Sequence, residues 1–163
     1  MTAVLSRPRA RKPRSHQLMF YDRFVEPILD GSKRQTLRDN SKRGIRPGDL
    51  LRLRSWVGVP YRRGSSHRDL GTGLVESVVQ VLVGINFASK KLRVRLYHPG
   101  VGLLELTGPE ASQFVRDDGF ADVDDFLAYY ESQKKDFFSG DLIKWRPVAT
   151  PGSTEVKTNV ANL

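Results

Sequence analysis

The chain has 163 residues, among them 27 Lys or Arg, 18 Asp or Glu and no Cys, and its formal net charge is +9. This length favours a single domain and excludes a TIM barrel, which needs roughly 200 residues or more. The absence of Cys excludes disulfides, zinc sites built on Cys and cysteine nucleophiles. The hydrophobic fraction of 39% excludes a fully disordered chain.

Positive charge is concentrated in the first two thirds of the chain. Residues 1–103 carry 21 basic and 7 acidic side chains, whereas residues 104–142 carry 3 basic and 10 acidic ones. A basic surface attracts phosphate groups, which favours a nucleoside, a nucleotide or a nucleic acid as the partner. No apolar run approaches the ~20 residues that cross a bilayer, and the basic N-terminus lacks the apolar stretch of a signal peptide. We therefore expect a soluble, cytoplasmic protein with no membrane partner, and its high charge favours a monomer.

Composition divides the chain into three segments. Residues 1–15 combine Arg, Lys and Pro with no acidic residue, which predicts a disordered basic arm. Residues 16–148 carry the apolar periodicity of one domain. Residues 149–163 predict a flexible C-terminal tail.

The first third of the domain predicts short strands around one helix. A short apolar strand is expected over 17–21, followed by a helix that Asp22 caps and Gly31 ends. Pro27 lies early in this helix and must fall near its first turn, because a later Pro would break it. A strand over 35–38 follows.

The next predicted strand, over 50–57, has two chemically different faces. Side chains alternate along a strand, so Arg52, Arg54 and Trp56 lie on the face opposite Leu51, Leu53 and Ser55. A long basic loop rich in Gly, Ser and Arg is expected over 58–72.

Beyond this loop the pattern changes from strands to helices and back. The last elements to be expected are three strands over 73–85, 92–97 and 101–106, two short helices over 109–115 and 123–132, and a final strand over 137–145. The predicted fold class is therefore α+β, a small mixed β-barrel with one early helix and two short late helices.

One cluster of polar residues indicates chemistry. Thr36 and Arg38 share a face of their strand, and a turn near Gly31 and Ser32 can bring Lys33 towards them. Nearby cations and partial burial lower the pKa of a Lys, which makes it a competent base, and a Thr hydroxyl can act as a nucleophile or hold a water. The alternative is an ordinary exposed strand edge.

The same segment resembles the ASCH domain family, which is similar to the PUA fold. The resemblance is closest to the small bacterial N(4)-acetylcytidine amidohydrolases, which share the layout RF…IL.G.K..T.RD found here from Arg23 to Asp39. It covers about 35 residues well. The matching positions are Phe20, Ile28, Leu29, Gly31, Lys33, Thr36, Arg38, Gly48 and Asp49.

The resemblance implies a catalytic Lys, Thr and Glu. Lys33 and Thr36 match the first two, and Asp118 stands where the relatives have Glu, with Asp117 as the one-residue alternative. The implied reaction is removal of an acyl group from the exocyclic nitrogen of cytosine, without metal or cofactor. Lys33 would activate Thr36 or a water, and Asp118 would pass a proton to the leaving amine. The residues expected to bind substrate are Arg23, Arg38, Phe20, Trp56 and Asp39.

A second hypothesis is a binding module without chemistry, since PUA-like domains bind RNA or modified bases in the same cleft. The basic arm and the loop over 58–72 favour this alternative and a substrate larger than a free nucleoside. The arginines expected to contact nucleic acid are Arg34, Arg52, Arg54, Arg62 and Arg63. A ribonuclease is a third possibility within the family.

Overall fold

The computed structural model describes residues 10–149, so the first part of the predicted arm and most of the predicted tail lie outside the described residues. Within that range the fold is α+β, as predicted. Its elements are β1 (Ser15–Phe20), a 3₁₀ turn (Asp22–Phe24), α1 (Val25–Leu29), β2 (Gln35–Arg38), β3 (Leu50–Val57), β4 (Ser66–Asn86), β5 (Lys91–His98), β6 (Gly102–Glu105), α2 (Gly108–Asp117), α3 (Val123–Ser132) and β7 (Phe137–Val148).

Strand β4 is the axis of one mostly antiparallel sheet. Its first part pairs with β3 and its last part with β5, while β7 pairs along the other edge. β1 adds to β3 in parallel, β6 adds to β5, and β2 adds to β7. Among residues 10–149, β1 and β2 form no ladder with each other. The predicted barrel is thus an open sheet, with a gap that a side-chain contact spans where Arg38 Nη2 donates to the Met19 carbonyl at 2.7 Å.

The core follows the alternation read from the sequence. Leu51 and Leu53 are buried on the inner face of β3 and belong to one hydrophobic core with Phe114 of α2 and Phe126 of α3. Trp145 is buried and lies 6.1 Å from Phe20 between ring centroids. A Cβ on Gly73 would come within 2.6 Å of Trp145, so the absence of a side chain there makes room for the indole.

The structure tests four local predictions. Gly31 has a φ of +80°, as expected of a residue that ends a helix, and Pro27 falls within the first turn of α1. The predicted cap at Asp22 is wrong, since this residue begins the 3₁₀ turn and its side chain makes no capping hydrogen bond. The predicted loop over 58–72 is shorter, because β4 already begins at Ser66 and pairs back onto β3.

A buried carboxylate fixes the start of the domain. Asp49 is fully buried and accepts hydrogen bonds from both terminal nitrogens of Arg11, from the Arg14 and Arg46 backbone N–H groups, and from His16 Nε2. Residues 10–14 therefore lie against the domain, where the sequence had predicted a disordered arm. Burial alone would raise the pKa of Asp49, but these donors outweigh it and hold the pKa far below its usual range.

We expect Asp49→Asn to lower the free energy of unfolding by about 3 kcal/mol at pH 7, because the buried donors lose their charged acceptor. Since the pKa of Asp49 is depressed by folding, its contribution is complete above the unfolded value of about 3.9 and is lost as the pH falls below it. Urea titrations of the wild type and the variant should therefore show a smaller difference in the free energy of unfolding at pH 3 than at pH 7. The exposed Asp39→Asn serves as the control, and an equal deficit at both pH values would contradict the role given to the charge.

Candidate active site

A cavity of about 470 Å³ opens at the gap between β1 and β2. This volume lies within the range of about 300–1,000 Å³ that small-molecule sites occupy. Four polar residues predicted from the sequence line it, namely Lys33, Thr36, Arg38 and Asp118. Aromatic rings form most of the remaining wall, contributed by Phe20, Phe24, Phe120, Tyr129, Tyr130 and Phe138.

Lys33 and Asp118 form a buried pair on the floor of the cavity. Their side chains are 2% and 6% exposed, and Lys33 Nζ lies 3.0 Å from Asp118 Oδ1. The same nitrogen donates to the Gln35 carbonyl at 2.9 Å and to the Asp118 carbonyl. These three acceptors match the three protons of an ammonium group. The ring of Phe24, with its centroid 4.6 Å from Nζ, covers the charge.

The backbone on both sides explains why this pair forms. After Gly31 the chain turns so that the Lys33 N–H donates to the Pro27 carbonyl, and the Arg34 N–H donates to the Asp117 carbonyl at the end of α2. Gly119 then follows Asp118 with a φ of +92°. A Cβ on Gly119 would lie 2.9 Å from the Lys33 stem, so only glycine lets this stem pass.

Burial shifts the pKa values of Lys33 and Asp118 in opposite directions. It lowers the pKa of Lys33, an effect that the Asp118 carboxylate opposes and that the Arg38 and Arg23 charges reinforce. Burial raises the pKa of Asp118, and here the Lys33 charge opposes it. Both shifts bring the two pKa values closer together, which eases transfer of a proton from the ammonium to the carboxylate.

Thr36 and Arg38 form the second polar group of the cavity. Thr36 is buried, and its hydroxyl oxygen accepts from Arg38 Nε at 3.3 Å. The hydroxyl proton is therefore left for an acceptor inside the cavity. The Arg38 guanidinium lies 5.0 Å from the centre of the Phe20 ring, which fixes its plane beside the opening.

Sequence reasoning missed the cavity wall contributed by α3 and β7. Tyr129, Tyr130, Gln133 and Phe138 all line the cavity. The tyrosines follow Phe126, a core residue, by three and four positions, and this helical spacing was the signal that could have identified them. Burial raises the pKa of Tyr130 and keeps it a neutral phenol that can donate a hydrogen bond.

Two residues predicted to bind substrate take other roles. Arg23 is not among the lining residues; its guanidinium stacks 4.7 Å from the centre of the Phe120 ring and pairs with Asp125 at 2.8 Å. It therefore supports the aromatic wall. Asp39 is exposed and accepts from Ser41, outside the cavity.

Two further predictions concern Trp56 and the choice between adjacent carboxylates. Trp56 lies away from the cavity at the end of β3, where it contacts Tyr61 and His67. Between the carboxylates, Asp118 reaches Lys33, whereas Asp117 accepts from Gln113 on its own helix.

The arginines predicted to contact nucleic acid lie outside the cavity lining. Arg34 Nε donates to the Gly31 carbonyl in the segment before β2. Arg52 and Arg54 project from β3, and Arg62 and Arg63 are exposed in the loop that joins β3 to β4. None of the helices in residues 10–149 has the length and apolar composition needed to cross a membrane. The same stretch contains no group of three or more His, Asp or Glu side chains placed to hold a metal ion.

Comparison with known proteins gives little further information. No protein-family model matches the chain, and no curated protein matches it. A crystal structure of hypothetical protein PH0355 is similar, with 15% sequence identity and a TM-score of 0.42, over 82% of this chain and 99% of that one.

We expect Gly119→Ala to destabilise the protein by about 1–3 kcal/mol, because the new methyl must displace the Lys33 stem and Ala at this positive φ is strained. Gly108→Ala is the matched control, since a Cβ there meets no atom within 4 Å. Thermal unfolding of both variants measures the difference. Equal melting temperatures would contradict the close approach of Gly119 and Lys33.

We expect Lys33→Met to cost about 3 kcal/mol of stability at pH 8, because it leaves Asp118 buried without a cation. Burial then holds the Asp118 pKa above its unfolded value, so stability is recovered at low pH and lost as the pH rises through the folded pKa. Urea unfolding between pH 5 and pH 8 measures this slope. The double variant Lys33→Met, Asp118→Asn should lack this pH dependence of stability. The same slope in Lys33→Met and in the double variant would contradict the pairing of Lys33 with Asp118.

Proposed function

We propose that this protein is an amidohydrolase that removes an acyl group from the exocyclic nitrogen of cytosine, in keeping with its resemblance to the ASCH-type N(4)-acetylcytidine amidohydrolases. The observation that carries the proposal is the convergence of Lys33, Thr36, Arg38 and Asp118 on one aromatic-lined cavity. Three of these residues come from one short segment, and the fourth is 80 or more positions away in the chain.

The cavity suits a planar base. Phe20, Phe24, Phe120 and the two tyrosines of α3 provide apolar faces on which a pyrimidine can pack. The polar groups supply donors and acceptors at the floor, where the acylated nitrogen would lie. A hydrophobic wall with a few convergent polar groups is the usual composition of a small-molecule site.

The proposed reaction begins with proton transfer within the buried pair. Lys33 passes a proton to Asp118, which burial makes a better acceptor than an exposed carboxylate. The resulting amine takes a proton from a water as the water oxygen attacks the acyl carbon. The bond between that carbon and the exocyclic nitrogen then breaks, and Asp118 returns its proton to the nitrogen. The products are the free cytosine amine and a carboxylic acid.

Thr36 and Arg38 act on the oxygen atoms of this reaction. The carbonyl oxygen becomes negative when water attacks, and the Arg38 guanidinium beside the opening supplies charge and donors for it. Because Thr36 already accepts from Arg38, its free proton can orient the water or the same oxygen. We therefore assign Thr36 to positioning the water, the second of the two roles that its hydroxyl allows.

The substitution of Asp for the family Glu is compatible with this mechanism. The shorter side chain still brings Asp118 Oδ1 to 3.0 Å from Lys33 Nζ. The Asp118 carbonyl contacts the same nitrogen, so the turn at Gly119 holds backbone and carboxylate on one side of Lys33. Asp118 therefore reaches Lys33 although its side chain is one methylene shorter than that of Glu.

A module that binds modified bases without chemistry is the second candidate. It is favoured by one observation, the arginines along β3 and in the following loop, of which Arg52, Arg62 and Arg63 are exposed. A backbone binder should lose affinity steeply as salt rises, whereas a nucleoside hydrolase should be much less sensitive.

The first test is hydrolysis of N(4)-acetylcytidine by the purified protein. We expect release of cytidine, with a fall in kcat of about 100-fold or more in Asp118→Asn, because proton transfer of this kind contributes 10²–10⁴-fold. Asp117→Asn is the matched control, one residue away and bonded only to Gln113 among the described side chains. Lys33→Ala should also lose turnover.

Two results would contradict the assignment. One is full activity in Lys33→Ala or Asp118→Asn. The other is the absence of cytidine release by a folded wild-type protein that binds N(4)-acetylcytidine in an equilibrium titration, which would favour the binding module.

A further inference from the structure

We propose that the acylated cytosine reaches the cavity as part of a single-stranded polynucleotide, whose flanking nucleotides bind the outer face of the β3–β4 hairpin. The identity of the modified base rests on the proposed function, whereas the binding surface rests on its own contacts. We call this surface the hairpin face and define it by Arg52, Arg54, Trp56, Tyr61, Arg62, Arg63 and His67.

The hairpin face approaches the cavity at strand β1. Met19 lines the cavity and lies in register with Arg54 on the neighbouring strand β3. The buried pair Leu18 and Leu53 points to the opposite side, so Met19 and Arg54 share the outer face. Adjacent strands are about 4.8 Å apart, so the first arginine of this surface lies one strand from the cavity wall. Trp56 is the next outward residue beyond Arg54.

Aromatic rings are clustered at the far end of this face. The Trp56 indole contacts Tyr61 at 4.9 Å and His67 at 4.5 Å between ring centroids. Tyr61 is 87% exposed and has a φ of +60°, a conformation that costs a bulky residue free energy. An exposed Tyr held in this way, beside a Trp, provides the stacking platform on which unpaired bases bind.

The arginines of the hairpin form no ion pair with acidic side chains of the described residues. Between Leu50 and Leu70 the sequence has five Arg and one acidic residue, Asp69. Within residues 10–149, none of these five arginines takes part in an ion pair. Asp69 lies in register with Arg54, but its carboxylate accepts from the Gly71 N–H. Cations interleaved with aromatic rings are the composition of a groove that follows a nucleic-acid backbone.

The chemistry in the cavity requires an unpaired strand. The exocyclic nitrogen of cytosine is a donor on the base-pairing edge, so an enzyme that acts on it must take the base out of a duplex or bind a single strand. Stacking on Trp56 and Tyr61 likewise needs bases with free faces. Both ends of the proposed surface therefore select the same form of nucleic acid.

The binding test uses labelled, unmodified 12-nucleotide single strands of RNA and of DNA, followed by fluorescence anisotropy, and does not depend on catalysis. We expect Trp56→Ala to weaken binding by about 10-fold or more, the usual effect of losing one stacking partner. The double variant Arg62→Ala, Arg63→Ala should reduce the slope of log affinity against log salt by about 1.4, since each phosphate contact on a single strand contributes about 0.7. The control is the double variant Lys91→Ala, Arg116→Ala, which removes the same charge elsewhere and should leave this slope unchanged.

The activity test compares N(4)-acetylcytidine with the same base inside a 12-nucleotide strand. We expect a higher kcat/KM for the strand, and we expect Trp56→Ala to lower that value while leaving nucleoside hydrolysis unchanged. The sugar that gives the larger gain identifies the strand as RNA or DNA.

The outcomes separate this inference from the proposed function. Strand binding that falls in Trp56→Ala, without hydrolysis of any acylated substrate, would support the hairpin face and overturn the amidohydrolase. Nucleoside hydrolysis combined with strand binding that is absent, or equal in wild type and Trp56→Ala, would overturn the hairpin face and leave the amidohydrolase in place.

Discussion

The contact between Lys33 and Asp118 joins parts of the chain that are 85 residues apart and places a charged pair where water is excluded. Removing either group from water is costly, and the pair persists because Lys33 also reaches the Gln35 and Asp118 carbonyls. Two neighbouring backbone features hold Lys33 and Asp118 at this distance. Gly119 lets the Lys33 stem pass, and the backbone bond from Arg34 to Asp117 sets the distance between β2 and α2.

Because β1 and β2 do not pair, a cavity opens beside Lys33 and Asp118. A ladder between β1 and β2 would place backbone where the cavity now lies, whereas the single bond from Arg38 to the Met19 carbonyl holds the two strands near each other and leaves the space open. The guanidinium thus does two things at once, because it secures the gap and faces the cavity. Stability and access depend on the same side chain.

Local sequence brought Lys33 near Thr36 and Arg38, because a glycine turn and a strand follow one another within eight residues, but it left an ordinary exposed strand edge as the alternative. The family resemblance gave these three residues their expected roles. Asp118 needed the family resemblance, since nothing near it in sequence indicates a partner in the segment before β2. Tyr130 and Phe138 escaped prediction because their position depends on how α3 and β7 pack. Asp49, identified from the sequence only as a position that matches the family, is a buried anchor for the same reason: its donors include Arg11, just before β1, and His16 in β1.

Strand β7 gives the order in which the site can be assembled. It is the last element of the described chain, the ladder partner of β2, and the source of Phe138 in the cavity wall. Its Trp145 N–H also bonds the Arg34 carbonyl beside Lys33. A chain growing from its N-terminus therefore carries the Lys33–Arg38 segment long before that segment has a sheet to join. Until β7 has been synthesised, β2 lacks its ladder partner and the cavity lacks the wall that Phe138 contributes, so the cavity is completed by the last strand of the described residues.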